Sequence, residues 1–198
     1  LDEEAAALVM NEAGYFAIFS EIRGKALAEN RFRIASDKQK QLDQVVDKLG
    51  QINPQSYEFH YATYLNGRND TSLASHLFAA YKLAPSRKEL YDDLAAYYEL
   101  INQPKKKFDY CRLMKEEKVF HPALTDYAQN LFRSVNTGAT IFTQGEWDTY
   151  PAWILQFAGN TRKDITVLNM DLLNQRHYFQ RVMKPYRLKK GAWEKYMA

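Results

Sequence analysis

Between Asn53 and Pro122 the chain resembles itself at a shift of 34 residues, from Tyr57 to Tyr91, and this self-similarity constrains the fold more than any other feature. The shift also places Tyr61 over Ala95, Tyr64 over Tyr98 and Ala74 over Phe108. A period of this length corresponds to one supersecondary unit that is too small to bury its own apolar face, so successive units must stack. The first copy, SYEFHYATYLNGRNDTSLASHLFAAYKLAP, reads as an aromatic-rich helix, a turn containing Gly67, a second helix carrying Ala74 and Ala80, and Pro85 as a stop. The second copy runs from Ser86 to Pro122 and is less regular, and LTDYAQNLF reads as the first helix of a third unit with no partner helix after it.

These copies resemble tetratricopeptide repeats over residues 53–134. The resemblance implies helical hairpins stacked into a curved surface, with the first helix of each hairpin lining the inner face. The lining residues are then Gln55, Glu58, Glu89, Asp92 and Glu99, with Ala62 and Ala96 between them. A groove that grips a C-terminal carboxylate needs Lys, Arg and Asn there, so an acidic lining points to a basic or mixed protein or peptide partner. The same carboxylates also fit a plain solvated helix face.

Two repeats cannot close a core, so the flanking segments must cap them. Residues 3–29 read as one long helix, with Leu8, Tyr15, Phe16, Phe19 and Ile22 recurring at helical spacing. Ser36 and Asp37 are capping types ahead of KQKQLDQVVDKLG, where Leu42, Val45, Val46 and Leu49 form an apolar face and Gly50 offers an end. After Asn136, Thr137 and Gly138 the pattern changes. Residues 139–143 alternate as a strand, QGEWD reads as a loop, TYPAWILQFA as a helix with Pro151 in its first turn, DITVLNM as a second strand and NQRHYFQRVM as a closing helix. The expected fold is mainly α: tetratricopeptide-like helical hairpins capped by a small βαβ unit with two parallel strands. The expected division is a helical-repeat domain over 1–135 and a small α/β module with a basic, aromatic tail over 136–198. Two parallel strands leave open edges, which a strand from a partner, a second copy or further sequence would complete.

The turn after the first strand draws attention because loops at the carboxyl ends of parallel strands are where α/β units bind ligands. Two readings are open for it. Asp148 or Thr149 caps the following helix, or Glu146 and Asp148 hold a divalent metal that bridges to a phosphate, with Asp171 opposite and Trp147 stacked on a sugar. Trp153 lies within the helix and reads as core. His60, His76, His121 and His177 show no ligand spacing along the sequence.

The segments DYAQNLF, TIFTQGEWDTYPAWILQ and DITVLNMDLLNQRHYFQ, residues 126–183, resemble the soluble portion that follows the membrane helices in bacterial mannosyltransferase-like proteins. The family loop runs Gly-Asp-Asn-Asp-Thr, then an aromatic residue and Pro. Gly145, Asp148, Thr149, Tyr150 and Pro151 match it, whereas Glu146 and Trp147 depart from it. The resemblance implies a shared accessory module, in the bacterial envelope or periplasm rather than the cytoplasm, without the membrane helices where sugar transfer would be expected.

Composition narrows the classes further. A formal net charge of +3 is too small and too dispersed for a nucleic-acid binder. Basic residues gather only in KPYRLKKGAWEKY, where Lys184, Arg187, Lys189, Lys190 and Lys195 sit among Tyr186, Trp193 and Tyr196. The lone Cys111 excludes an internal disulfide and reads as a small buried apolar residue. AAALVM is far shorter than the roughly 20 residues of a membrane span, so membrane association is expected through a segment preceding Leu1 or through a partner. The leading expectation is a non-enzymatic protein-interaction scaffold without cofactor. The alternative is a sugar- or phosphate-binding enzyme or sensor that uses the acidic loop 145–149.

Overall fold

The computed structural model describes residues 10–29 and 33–186. The expected helical positions 3–9 and the basic tail beyond Tyr186 lie outside them. The structure is mainly helical with one two-stranded parallel sheet, as the sequence pattern predicts. The chain divides into two compact units, residues 1–68 with 72–85 and residues 69–71 with 86–198, so the division falls close to Pro85.

In the first unit, α1 (Glu12–Glu29), α2 (Ser36–Ile52), α3 (Tyr57–Asn66) and α4 (Ala74–Leu83) pack through the apolar stripes read from their spacing. Phe19, Leu42, Leu49 and Ala62 are fully buried at the centre, with Phe16, Val45, Val46, Phe59 and Leu65 around them. Ser56 caps α3 by accepting the Phe59 amide at 3.1 Å. The start of α2 differs from expectation: Ser36 is already helical, and Ala35 precedes it without a side-chain cap. Gly50 does not end α2, which runs on to Ile52. Its role is close approach instead, since a Cβ there would lie 2.9 Å from the Phe59 ring.

The second unit contains α5 (Tyr91–Leu100), α6 (Pro104–Glu116), α7 (Pro122–Ser134), β1 (Thr140–Thr143), α8 (Gly145–Trp153), β2 (Thr166–Asn169) and α9 (Arg176–Met183). The strands run parallel in the register Thr140 to Thr166 through Thr143 to Asn169. After α8 the helix widens into a π turn over Ile154–Ala158, just beyond Pro151, whose missing N–H removes a donor from the helical ladder. The π turn places buried Gln156 where its Nε2 donates to the Ile165 carbonyl at 2.7 Å and the Arg162 carbonyl at 3.0 Å, which pins the loop leading into β2.

Two arginines distant in sequence close helix ends in this unit. Arg162 donates to the carbonyls of Phe132 and Asn136 just past α7, and it pairs with Asp164 at 2.9 Å. Asp164 also accepts the Gly138 amide at 3.1 Å, and these two partners, Arg162 first, hold its carboxyl down at about 2. Arg181 from α9 donates to the carbonyls of Glu99 and Leu100 at the end of α5. Each cation meets carbonyls at or just past a helix C-terminus, where the dipole favours positive charge.

No helix among the described residues is long and apolar enough to cross a membrane. Because α8 and the π turn pack against α6 and α7, the 136–198 segment does not contain its own cover. Expressed alone, residues 136–198 should show no cooperative thermal transition by circular dichroism; a sharp melt would mean that the segment closes its core without α5 to α7.

Candidate functional site

The carboxyl ends of the two strands form a tightly bonded joint. Gly145 takes φ +71°, a left-handed conformation natural to glycine, and the chain turns straight from β1 into α8. The helix therefore begins at Gly145 rather than at Thr149. The expected loop residues Glu146, Trp147 and Asp148 form its first turn, and Pro151 lies inside the helix. Neither Asp148 nor Thr149 supplies the cap. Gln144 precedes the helix without a side-chain cap, and the Gly145 amide instead donates to Asp171 Oδ2 at 2.9 Å. Asp171 is placed by its own amide, which donates to Asn169 Oδ1 at 2.8 Å. Thr149 is buried with its hydroxyl 2.8 Å from that of Thr143, and Thr143 also donates to the Leu168 carbonyl at 3.3 Å.

This joint changes what the acidic residues can do. Glu146 and Asp148 are two positions apart on a helix, about 200° around its axis, so their carboxylates do not converge on one ion. Among the described residues no group of three or more His, Cys, Asp or Glu side chains could hold a metal. Asp171 serves the Gly145 amide, and burial, only partly offset by that hydrogen bond, pushes its carboxyl above the usual carboxylate range. Asp92 is pushed well up, first by burial and then by the charges of Asp93 and Glu146. Trp147 is 70% exposed, Phe142 51% and Met170 37%, and all three lie at or beside the strand ends. Trp153 is fully buried, as its position in the helix predicts.

The residues assigned to a groove divide between the two units. In the first, Gln55 is exposed and Glu58 half-buried in the first turn of α3. In the second, exposed Glu89 pairs with Arg87 at 3.1 Å. Glu99 is not part of a solvated acidic face. It accepts from Lys107 Nζ at 2.8 Å and lies 3.6 Å from Arg181. Lys107 is 2% exposed, with its ammonium 3.5 Å from the centroid of the Trp153 ring and 4.3 Å from that of Phe157. Burial lowers the Lys107 pKa against the pull of Glu99, pushes the Cys111 thiol up to about 12 and raises the Tyr178 hydroxyl. A protonated, fully buried Cys111 is not a ready nucleophile.

The sequence carried a signal for this cluster: Lys107, Cys111 and Met114 are the buried residues of α6, at the i, i+4, i+7 spacing of an apolar stripe. Within the run Lys105, Lys106, Lys107, the spacing distinguishes the one that turns inward. The histidines make contacts that their spacing along the sequence does not show. His121 caps α7 by accepting the Ala123 amide at 3.2 Å, while His60 on α3 and His76 on α4 meet with their Nδ1 atoms 3.0 Å apart. A separation of 16 residues hides that meeting from any search for local ligand spacing.

A protein-family model described as TMEM260-associated domain 2 matches residues 124–188, about a third of the chain, from α7 through α9. Neither the curated proteins nor the solved structures contain a match to this chain.

Substitutions at the buried ion pair and at Asp171 test the electrostatics of the second unit. Lys107→Ala leaves Glu99 with only the longer contact to Arg181, beside a cavity, and should cost about 3 kcal/mol in urea unfolding, with the Lys107→Met, Glu99→Gln double variant costing less, because breaking a buried pair is worse than replacing it. Asp171 has its folded-state pKa raised, so its ionised form opposes folding above that pKa, while its protonated form favours folding as pH falls towards the unfolded value. Asp171→Asn, which keeps an acceptor for Gly145, should therefore melt above wild type at pH 7, with the difference closing as the pH approaches 4.

Proposed function

We propose that this chain is a non-enzymatic interaction module that docks a polypeptide partner, within an assembly of the bacterial envelope. The observation that carries this reading is the placement of exposed Phe142, Trp147 and Met170 at the carboxyl ends of the strands, where a small-ligand site would need converging polar groups. The buried and half-buried polar groups at the turn bond to one another: Gly145 to Asp171, Asp171 to Asn169, and Thr143 to Thr149. Exposed aromatic side chains beside a satisfied polar frame are the usual make-up of a protein contact surface.

The direction of the β1 hydrogen bonds supports the same reading. Ala139 and Thr143 accept from Thr166 and Met170, so odd-numbered residues of β1 face β2, and the backbone groups of Thr140 and Phe142 point the opposite way. A partner strand would add from that direction. The resemblance to the soluble module of mannosyltransferase-like membrane proteins supports an envelope setting. The matching family's description as an associated domain supports an accessory role. The tetratricopeptide-like reading of 53–134 adds polar positions for a peptide partner within each unit, Gln55 and Glu58 in the first and Glu89 and Asp92 in the second.

The alternative, a sugar- or phosphate-binding enzyme or sensor, draws on exposed Trp147 as a stacking face. Its metal-holding form is disfavoured by the divergence of Glu146 and Asp148 on α8. A photo-crosslinking amino acid at position 147 distinguishes the two readings when paired with thermal-shift assays of wild type and Asp148→Asn against divalent cations, nucleotide sugars and simple glycans. The interaction reading expects a discrete polypeptide adduct from position 147, none from a control position such as Lys40, and no ligand-dependent shift. A small molecule at 100 times its dissociation constant would add about 2.7 kcal/mol, or roughly 5–10 °C for a chain of this size. A shift of that size, lost in Asp148→Asn, with no adduct at 147, would replace the interaction module with a ligand site.

A further inference from the structure

The meeting of His60 and His76 is unlike the other polar contacts of the first unit, because it brings two metal-ligating side chains together on a rigid hairpin. His60 lies in α3 and His76 in α4, which pack against each other. Their Nδ1 atoms are 3.0 Å apart, and their rings have centroids 5.0 Å apart and planes inclined by 59°. Phe59 flanks both rings, with centroids 5.5 and 5.6 Å away. Both histidines are half-buried, so solvent still reaches the pair. For the nitrogens to hydrogen-bond, one ring must carry its proton on Nδ1 and the other must present a lone pair. Burial, helped by the neighbouring His76, holds the His60 pKa below its ordinary value and favours the neutral imidazole that binds metals.

The spacing matches adjacent corners of a metal's coordination shell. Two metal–nitrogen bonds of about 2.0–2.1 Å put their nitrogens roughly 2.9 Å apart when they meet at a right angle and roughly 3.3 Å apart at the tetrahedral angle. The observed 3.0 Å lies nearer the right angle, which is the geometry of tetragonal Cu2+ and Ni2+. A metal in this position would sit about 1.4 Å off the line between the nitrogens, so a small swing of both rings brings their lone pairs onto it without moving the helices.

We propose that His60 and His76 form a two-histidine site for a late first-row divalent metal of the Cu2+ or Ni2+ class, clasping α3 to α4, with water or a partner's side chain filling the remaining positions. The site is separate from the acidic turn at 145–149 and does not depend on it. Metal bound by the folded hairpin and not by the unfolded chain stabilises the hairpin, so occupancy would stiffen the first repeat-like unit.

The test uses the full chain and Ni2+ alone in a non-coordinating buffer, with bound metal measured by equilibrium dialysis and unfolding followed by circular dichroism. The proposal expects one saturable Ni2+ per chain and a rise in the melting temperature with metal. His60→Gln and His76→Gln should each weaken binding by about 100-fold, since even the loss of a supporting contact around a metal costs about 10- to 100-fold. The His121→Gln, His177→Gln double variant should bind as wild type does. Affinity unchanged by either His60→Gln or His76→Gln, or an absence of saturable binding to wild type, would overturn the site. If the glutamine variants fail to fold, electron paramagnetic resonance of wild type with one equivalent of Cu2+ decides instead. Hyperfine splitting from two imidazole nitrogens supports the pair, and splitting from one or none rejects it.

Discussion

The second unit is organised around one buried ammonium group. Lys107 Nζ has left water for a place between the Glu99 carboxylate and the faces of Trp153 and Phe157. An unpaired charge there would be too costly to bury, so the surrounding elements must hold their positions for the lysine to be accommodated. Glu99 comes from the end of α5, Trp153 from α8, Phe157 from the π turn, and Arg181 from α9 reaches the same carboxylate while closing the α5 carbonyls. One charge thereby sets the relative placement of α5, α6, α8, the π turn and α9. The arrangement secures specificity more than raw stability, since a similar volume of apolar side chains could fill the space at no greater cost.

The strand-end joint follows the same logic on a smaller scale. A left-handed Gly145 starts α8 directly at the end of β1, and the first free amide of that helix finds its acceptor on the other strand through Asp171. The capping group is thus tertiary, not local. With Asp171, Asn169, Thr143 and Thr149 engaged at the turn, Phe142, Trp147 and Met170 are exposed apolar side chains at this end of the sheet.

Among its described residues the first unit has no charged side chain as buried as Lys107, and its order comes from apolar stripes and a few half-buried polar contacts. Gln39 donates to Asn66 at 2.7 Å, Asn66 to Asp43 at 2.7 Å, and Arg68 to the Ile34 carbonyl at 3.1 Å, joining the end of α3 to the start of α2. Within that unit the two histidines form the polar contact on which the proposed metal site rests.

Periodicity marked most of the helices, both strands and the core positions Phe19, Leu42, Leu49 and Trp153, because burial of an apolar stripe depends on local spacing, and the strand–helix–strand order implied the parallel pairing. The burial of Cys111 was legible from residue type, since a lone thiol behaves as a small apolar side chain. Tertiary structure decided the rest: the cap of α8 from Asp171, the inward turn of Glu99 and Lys107, the helix-closing roles of Arg162 and Arg181, and the meeting of His60 with His76. Glu99 and Asp92 both sit on a helix whose sequence reads as acidic and solvated, yet one is paired and the other pushed towards its neutral form by burial. The physical reason is that apolar burial is additive and readable from spacing along one segment, whereas a charge or a hydrogen-bond donor is satisfied by a particular atom. In this fold that atom is often supplied by a residue far away in the chain.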